Sequence, residues 1–169
     1  MSQVSQLRWH YTVRQRLDGL LRAGVLPLAT AGLPAGERPV VWFSSNQLWE
    51  ETANQAWQRP DGTINPGNKE ATHLLGGGLA RIGVLPETAP HDWKAFKALS
   101  GIKASKARGM YDAGISAGAR PGEWFVSFEP VPRSQWLAVE VWDGAQWLRL
   151  ETGPSAPRPP EPPSAGGSA

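Results

Sequence analysis

Two short segments near the start of the chain end in side chains that could do chemistry. Residues 7–12 carry His10 close to the end of an apolar stretch, and residues 40–44 carry two aromatic rings and a hydroxyl group. A histidine can hydrogen-bond to a sugar hydroxyl, and an aromatic ring offers a flat face on which a base or a nicotinamide ring can stack. If the two segments form neighbouring strands, we expect His10 and an aromatic ring to line one cleft.

One amphipathic helix is predicted directly after His10. Apolar residues recur at positions i, i+4, i+7 and i+8 over residues 13–23, which is the pattern of a single buried stripe. Thr12 stands at the N-cap position with Gln15 three residues later, which predicts a capping box, and Gly24 is placed to end the helix. The start of this helix would then fix where His10 points.

The rest of the chain alternates predicted strands, helices and turns, which indicates an α+β fold. Residues 46–57 predict a helical segment, and residues 58–78 carry turn signals that end in a flexible triple-glycine loop. Further strands are predicted at residues 39–43, 79–85 and 124–128, further helices at residues 92–100 and 105–117, and a hairpin at residues 136–150 with its turn at Asp143-Gly144.

The composition is that of one folded domain, which we assign to residues 1–151. Of the 169 residues, 40% are hydrophobic and nine are Trp, so the chain can bury a sizeable core. Residues 152–169 consist mainly of Pro, Ser, Gly and Ala. This composition predicts a disordered tail that contributes nothing to the core.

Several classes of protein are excluded or disfavoured by composition. The chain has no Cys, which excludes a disulfide, a thiol nucleophile and a thiolate metal site. No stretch approaches the roughly 18 apolar residues of a membrane span, and the first residues lack the apolar run of a signal peptide. We therefore expect a cytoplasmic protein without a membrane partner. The net charge of +2 neither requires nor excludes a nucleic-acid partner.

Familiar catalytic motifs are also missing. His10, His73 and His91 do not have the spacing of a metal-binding motif, so no metal site is expected. No G-x-S-x-G sequence is present to form the nucleophile turn of a serine hydrolase. The glycine run at residues 76–78 lacks both the Lys-Ser/Thr ending of a P-loop and the G-x-G-x-x-G spacing of a dinucleotide fold.

The order of the predicted elements resembles the ADP-ribosyltransferase superfamily, which includes poly-ADP-ribose polymerases, DarT-type DNA-modifying toxins and RNA 2′-phosphotransferases. Residues 7–24 are similar to its first unit, a His-bearing strand followed by a helix. Residues 40–44, with residues 51–54 downstream, resemble the strand and short helix that line its nicotinamide pocket. Residues 122–126, followed by a Pro-containing loop at 130–132, are similar to the late strand that an acid opens.

The resemblance implies a split, largely antiparallel sheet with about three helices, and an enzyme that transfers ADP-ribose from NAD to a nucleic-acid or protein acceptor. It implies that His10 hydrogen-bonds the nicotinamide ribose and that Thr12 assists. It also implies that Glu123 holds a ribose hydroxyl and stabilises the oxocarbenium-like state as nicotinamide leaves. The positions that line the nicotinamide pocket are held here by Trp42 or Phe43 and by Ser44.

The acid is the least defined of these positions, because two further glutamates lie near Glu123 in the sequence. Pro130 follows Glu129, which favours a loop for that residue. Glu140 lies in the middle of a hairpin strand, and its place there predicts that it faces solvent. Either Glu123 or Glu129 would have to share a cleft with His10.

An RNA 2′-phosphotransferase would need a different set of residues, namely several arginines around the phosphate. The available candidates are Arg8, Arg14, Arg81 and Arg120.

A non-catalytic module that binds nucleic acid or protein is the alternative to an enzyme. It would use a basic stretch, which also fits a solvated helix face, or Trp-rich surfaces. Trp136, Trp142 and Trp147 of the hairpin are predicted to pack in the core, with a stacking platform for bases as the alternative. The basic stretch consists of Lys94, Lys97, Lys103, Lys106 and Arg108.

Overall fold

The structure, a computed structural model, describes residues 6–150. The strands in chain order are β1 (Arg8–Val13), β2 (Val25–Leu26), β3 (Val41–Ser44), β4 (Trp57–Gln58), β5 (Ile64–Asn65), β6 (Leu79–Val84), β7 (His91–Asp92), β8 (Trp124–Ser127), β9 (Val131–Pro132), β10 (Ala138–Trp142) and β11 (Trp147–Arg149). The helices are α1 (Arg14–Ala23), α2 (Lys69–Leu75), α3 (Trp93–Leu99) and α4 (Ala104–Ser116).

Seven strands form one antiparallel sheet in the order β11-β10-β6-β1-β3-β8-β7, and two small ladders, β2–β9 and β4–β5, lie outside it. The predicted α+β class with a largely antiparallel sheet is therefore confirmed. None of the helices within residues 6–150 is long and apolar enough to cross a membrane. The predicted disordered tail at 152–169 lies outside the described residues.

The main sheet consists of two ladders that meet at one point. Strand β1 pairs with β6 over six residue pairs, and β3 pairs with β8 over four. Between β1 and β3 there is only the pair Trp9–Ser44. Since Ser44 also lies opposite Trp124 on β8, these three side chains share one face of the sheet at the point where the ladders join.

Each face of the sheet is covered by a separate set of elements. On one face, Leu17 of α1 packs with Phe43 and Ile82 in a core that is almost fully buried. On the other face, Trp93 of α3 and Ala107 of α4 pack against the strand residues of β8. A third cluster joins Trp9, Tyr11 and Val13 of β1 to Trp49 and Leu79 on that second face.

The start of α1 differs from the prediction, while its end confirms it. Thr12 belongs to β1, and the N-cap residue Val13 makes no side-chain hydrogen bond, so the predicted capping box is wrong. Backbone carbonyls of the triple-glycine segment take the place of the cap: Arg14 N donates to Gly78 O at 2.8 Å, and Gln15 N donates to Gly76 O at 3.1 Å. Gly24 ends the helix in the left-handed region at φ 67°.

Two other predictions are wrong because asparagine side chains set the local structure. Residues 46–56 contain a 3-10 turn at Glu51–Ala53 and no α-helix, and Trp57 begins β4. The Asn46 side chain accepts from Leu48 N and Trp49 N and forms a turn instead of a helix. Helix α2 lies within residues predicted as turns, and Asn68 caps it by accepting from Ala71 N at 2.8 Å. The predicted strands, hairpin and helices from residue 79 onward are confirmed. The hairpin loop is longer than the predicted two-residue turn, since residues 143–146 separate the paired residues Trp142 and Trp147.

Helix α4 lies so close to β8 that one of its positions has no room for a side chain. A Cβ atom at Gly114 would lie 2.4 Å from the buried Trp124 ring, whereas a Cβ at Gly109 would meet no atom within 4 Å. We predict that Gly114→Ala lowers the free energy of unfolding by about 1–3 kcal/mol through overpacking. Gly109→Ala should instead raise it by up to about 1 kcal/mol through helix propensity. Urea unfolding of both variants measures this difference, and equal stabilities would contradict the close contact.

Candidate active site

An open cleft of about 930 Å³ lies where the two ladders of the sheet meet. Its walls come from β1, from β3, from the loop after β3 and from the C-terminal half of α4. The lining residues of β1 and β3 are Trp9, His10, Tyr11, Trp42, Phe43 and Ser44, and the acids of the loop are Glu50 and Glu51. Thus His10, Trp42, Phe43 and Ser44, four of the six predicted site residues, all line this cleft. They reach it from both faces of the sheet, since His10 and Phe43 lie on the α1 face while Trp42 and Ser44 lie on the face that α3 and α4 cover.

The cleft is aromatic and acidic. Five aromatic residues contribute to its lining, including Trp124 from β8, and the carboxyl groups come from Glu50 and Glu51. No lysine or arginine is among the lining residues within the part of the chain that the structure describes. Such a site favours a flat ligand that is neutral or positively charged over one that places a phosphate inside.

His10 is held in one tautomer by the strand next to it. Its Nδ1 lies 2.9 Å from the carbonyl oxygen of Trp42. Because a carbonyl only accepts, Nδ1 carries the hydrogen, and Nε2 of the neutral ring is left as an acceptor without a hydrogen bond to any described residue. Burial lowers the pKa of His10 from its ordinary value, although the bond to Trp42 acts in the opposite direction. The Phe43 ring meets the imidazole edge-on at 5.9 Å.

Glu50 organises the wall of the cleft and was not found from the sequence. The residue is 7% exposed and its carboxylate accepts four hydrogen bonds. Ser44 Oγ donates from β3 at 2.7 Å, Trp124 Nε1 donates from β8 at 3.1 Å, and Thr52 donates both its N–H and its hydroxyl. The Ser44 hydroxyl is therefore engaged by the protein itself. Nothing in the local pattern identified this role, because residues 46–57 predicted a helix.

The remaining predicted site residues do not line the cleft. Thr12 is buried in β1 and is not among the lining residues. Glu123 stands just before β8, where its Oε2 accepts from Asn46 Nδ2 at 3.2 Å. Its position is next to the end of β3, since Ser45 N donates to its backbone oxygen. Glu129 is exposed, as the loop assignment predicts. The expectation that Glu123 or Glu129 shares the cleft with His10 is therefore wrong, since neither is among the lining residues.

The prediction that Glu140 faces solvent is wrong. Its side chain is buried and forms an ion pair with Arg81 at 3.2 Å. The strand that carries it, β10, lies between β6 and β11 and is covered on this face by the cluster around Trp9. None of the four candidate arginines for a phosphate site lines the cleft. Arg8, for example, donates to the backbone oxygens of Pro86 and Ala89.

The hairpin tryptophans pack within the structure, as predicted. Trp147 has Arg81 4.4 Å from its ring centroid and also stacks with Trp49 at 6.5 Å. The ammonium group of Lys69 lies 3.7 Å from the centroid of the Trp142 ring. Trp136 packs against the opposite core and donates from Nε1 to Val131 O. These contacts occupy the rings, which disfavours a stacking platform for bases.

The basic stretch is smaller than its sequence indicates. Lys106 pairs with Glu37 at 2.8 Å, and Arg108 pairs with Asp112 within α4. This leaves Lys94, Lys97 and Lys103 as exposed cations without an ion pair to any residue in 6–150. Over the same described range, no group of three or more His, Asp and Glu side chains could hold a metal ion.

Comparison with family models, curated proteins and solved structures finds no match for this chain. A proposal for the function therefore rests on the residues of the cleft.

The hydrogen bonds of Glu50 predict a strong effect of a conservative change. Glu50→Gln removes the negative charge of the acceptor, which weakens the buried charge-assisted hydrogen bonds from Thr52 and Trp124, and it replaces the oxygen that accepts from Ser44 by an NH₂ group. We expect the free energy of unfolding to fall by about 1–3 kcal/mol. Glu51→Gln is the matched control, because Glu51 is only partly buried and accepts a single side-chain bond, from Asn54. Chemical denaturation of both variants tests this prediction. Equal decreases in the free energy of unfolding would contradict a stabilising role for the hydrogen bonds of Glu50.

The lowered pKa of His10 predicts a dependence of stability on pH. Between the lowered pKa and the ordinary value of 6.5, the unfolded chain binds more protons at this site than the folded protein does. The free energy of unfolding should therefore decrease as the pH falls through 6.5. The Asn side chain of His10→Asn does not titrate and can still donate to Trp42 O. The free energy of unfolding of this variant should therefore decrease less than that of the wild type as the pH falls through 6.5. Urea unfolding of both proteins on either side of pH 6.5 measures the difference, and parallel pH profiles would contradict a buried neutral His10.

Proposed function

We propose that the cleft binds the nicotinamide-ribose end of NAD and that the protein transfers ADP-ribose from NAD to a nucleic-acid or protein acceptor. One observation carries this proposal: His10, with a free Nε2 acceptor, shares an aromatic, acidic cleft with Trp42 and Phe43 at the point where the sheet divides. The residues concerned are those that the ADP-ribosyltransferase resemblance singles out.

The charge of the cleft supports nicotinamide as the group that enters it. The nicotinamide ring of NAD is a flat cation, and aromatic faces and carboxylates both attract such a group. A phosphate would meet Glu50 and Glu51 without a compensating arginine or lysine among the described lining residues. The same feature argues against the RNA 2′-phosphotransferase alternative. In this proposal the phosphates and the adenosine of NAD extend away from the acids.

His10 has a defined part in binding. A ribose hydroxyl can donate to its Nε2, because Nδ1 already donates to Trp42 O. The lowered pKa keeps the imidazole neutral at neutral pH, so the acceptor lone pair is available and the ring adds no charge that would repel the nicotinamide cation. Thr12 has no part in this scheme, since it lies outside the lining.

The reaction breaks the bond between ribose C1′ and the nicotinamide nitrogen. Nicotinamide leaves as a neutral molecule with the bonding electron pair, positive charge develops on the ribose, and the acceptor attacks C1′ and loses its proton. A nearby carboxylate stabilises that developing charge. Glu123 is the acid that the resemblance implies, but it does not line the cleft, whereas Glu51 does. Comparing Glu123→Gln with Glu51→Gln assigns the role.

Calorimetric titration with NAD tests the proposal, with nicotinamide release assayed in the same samples. We expect the wild type to bind and release nicotinamide, and His10→Ala to bind about tenfold more weakly, which corresponds to about 1.4 kcal/mol. The glutamine variant at the true acid should lower the release rate by about 10²–10³ while leaving binding in place. NADH is the control ligand, because its nicotinamide ring carries no positive charge and should bind more weakly.

Absence of binding at millimolar NAD would overturn the proposal. Nucleic-acid binding that weakens steeply with salt and is abolished by reversing the charges of Lys97 and Lys103 would then support the interaction module instead.

A further inference from the structure

The segment 46–48, which directly precedes the acids of the cleft, is held by side chains of the other ladder. Tyr11 donates its hydroxyl to Asn46 O at 2.5 Å, and Arg81 Nη1 donates to Gln47 O at 2.5 Å. Trp147 Nε1 donates to Leu48 O at 2.9 Å. Three consecutive carbonyl groups after β3 thus accept hydrogen bonds from β1, β6 and β11.

The side chain of Gln47 strengthens this connection. Its Oε1 accepts from Trp9 Nε1 at 2.9 Å, and its Nε2 donates to Leu7 O at 2.9 Å. The segment is therefore attached to β1 through its side chains as well as through its backbone. These bonds replace the backbone pairs that β1 and β3 do not form beyond Trp9 and Ser44.

Arg81 is the centre of these contacts. It is 7% exposed, and its guanidinium lies 3.8 Å from the Trp9 ring centroid and 4.4 Å from that of Trp147. Its Nη2 pairs with Glu140, while Nη1 reaches Gln47 O and lies 3.3 Å from the Tyr11 hydroxyl. A planar group with several donors can make all of these contacts at once, which a lysine cannot do.

We propose that Arg81 is a positioning residue for the cleft: by holding the Gln47 carbonyl from β6, it fixes the segment that places Glu50 and Glu51 in the cleft wall. The effect that we expect on the kinetics of nicotinamide release rests on the proposed function. Arg81 itself does not line the cleft, so it acts through residues 46–51 and not on the ligand. Glu140 compensates the buried charge of Arg81 and makes none of the contacts to this segment.

The test compares Arg81→Lys with Glu140→Gln. Lysine keeps the positive charge but cannot bind Glu140 and Gln47 O together, whereas Glu140→Gln leaves every contact of Arg81 to the segment in place. Amide hydrogen exchange is measured at Leu48, Trp49 and Ala53, whose N–H groups are hydrogen-bonded within the segment or the turn that follows it. The kcat and KM of nicotinamide release from NAD are measured well below the melting temperature of each variant.

In Arg81→Lys we expect these amides to exchange about tenfold faster or more, and kcat/KM to fall by a similar factor. Amides of the β6–β10 ladder should keep their exchange rates. Glu140→Gln should lower the melting temperature while its exchange in the segment and its kinetics stay near the wild type. If Arg81→Lys lowers only the melting temperature, the positioning role is overturned.

The exchange measurement also separates this inference from the proposed function. If the wild-type protein releases no nicotinamide, the proposed function fails. Faster exchange in Arg81→Lys then still supports the positioning of the segment, and unchanged exchange overturns it. If Arg81→Lys does not fold, the double variant Arg81→Met with Glu140→Met removes both charges and is measured in the same way.

Discussion

The single backbone pair between Trp9 and Ser44 is the constraint on which the site depends. Buried backbone groups beyond that pair need other partners, because an unpaired carbonyl in the interior is costly. The carbonyl of Trp42 finds its partner in the His10 ring. That contact also decides which nitrogen of the imidazole carries the hydrogen. The opening of the sheet and the readiness of His10 to accept a hydrogen bond therefore have the same cause.

Much of the fold could be predicted from local sequence. Helices α1 and α3 follow from the spacing of apolar residues, and Asp92 caps α3 by accepting from Ala95 N at 2.8 Å. Helix α4 was predicted to end before Gly118, and it ends at Ser116. The hairpin follows from its Asp143-Gly144 turn, where the Asp143 side chain accepts from two backbone N–H groups. These features depend on residues within a few positions of each other. The short strands that bring His10 and Trp42 to the cleft could likewise be predicted from residues that are close together in the chain.

What could not be predicted depends on residues far apart in the chain. Glu140 was expected to face solvent, but its face of β10 is covered, and its partner Arg81 lies 59 positions away. Glu50 gains its role from Trp124, which is 74 positions away. A local pattern specifies neither which strands become neighbours nor which face of a strand is covered. Glu50 was missed for that reason, while the histidine, the aromatic residues and the segment 51–54 with Glu51 were found.

The glycine carbonyls that hold the start of α1 have a consequence for the order of folding. The backbone N–H groups of Arg14 and Gln15 donate to the carbonyl oxygens of Gly78 and Gly76, more than sixty residues later in the chain. During synthesis, the first turn of α1 emerges long before these partners exist. Its N–H groups remain bound to water until β6 and the glycine segment before it have been made. Closing so long a loop costs conformational entropy, so the first helix of the sequence acquires its fixed beginning late, together with the sheet.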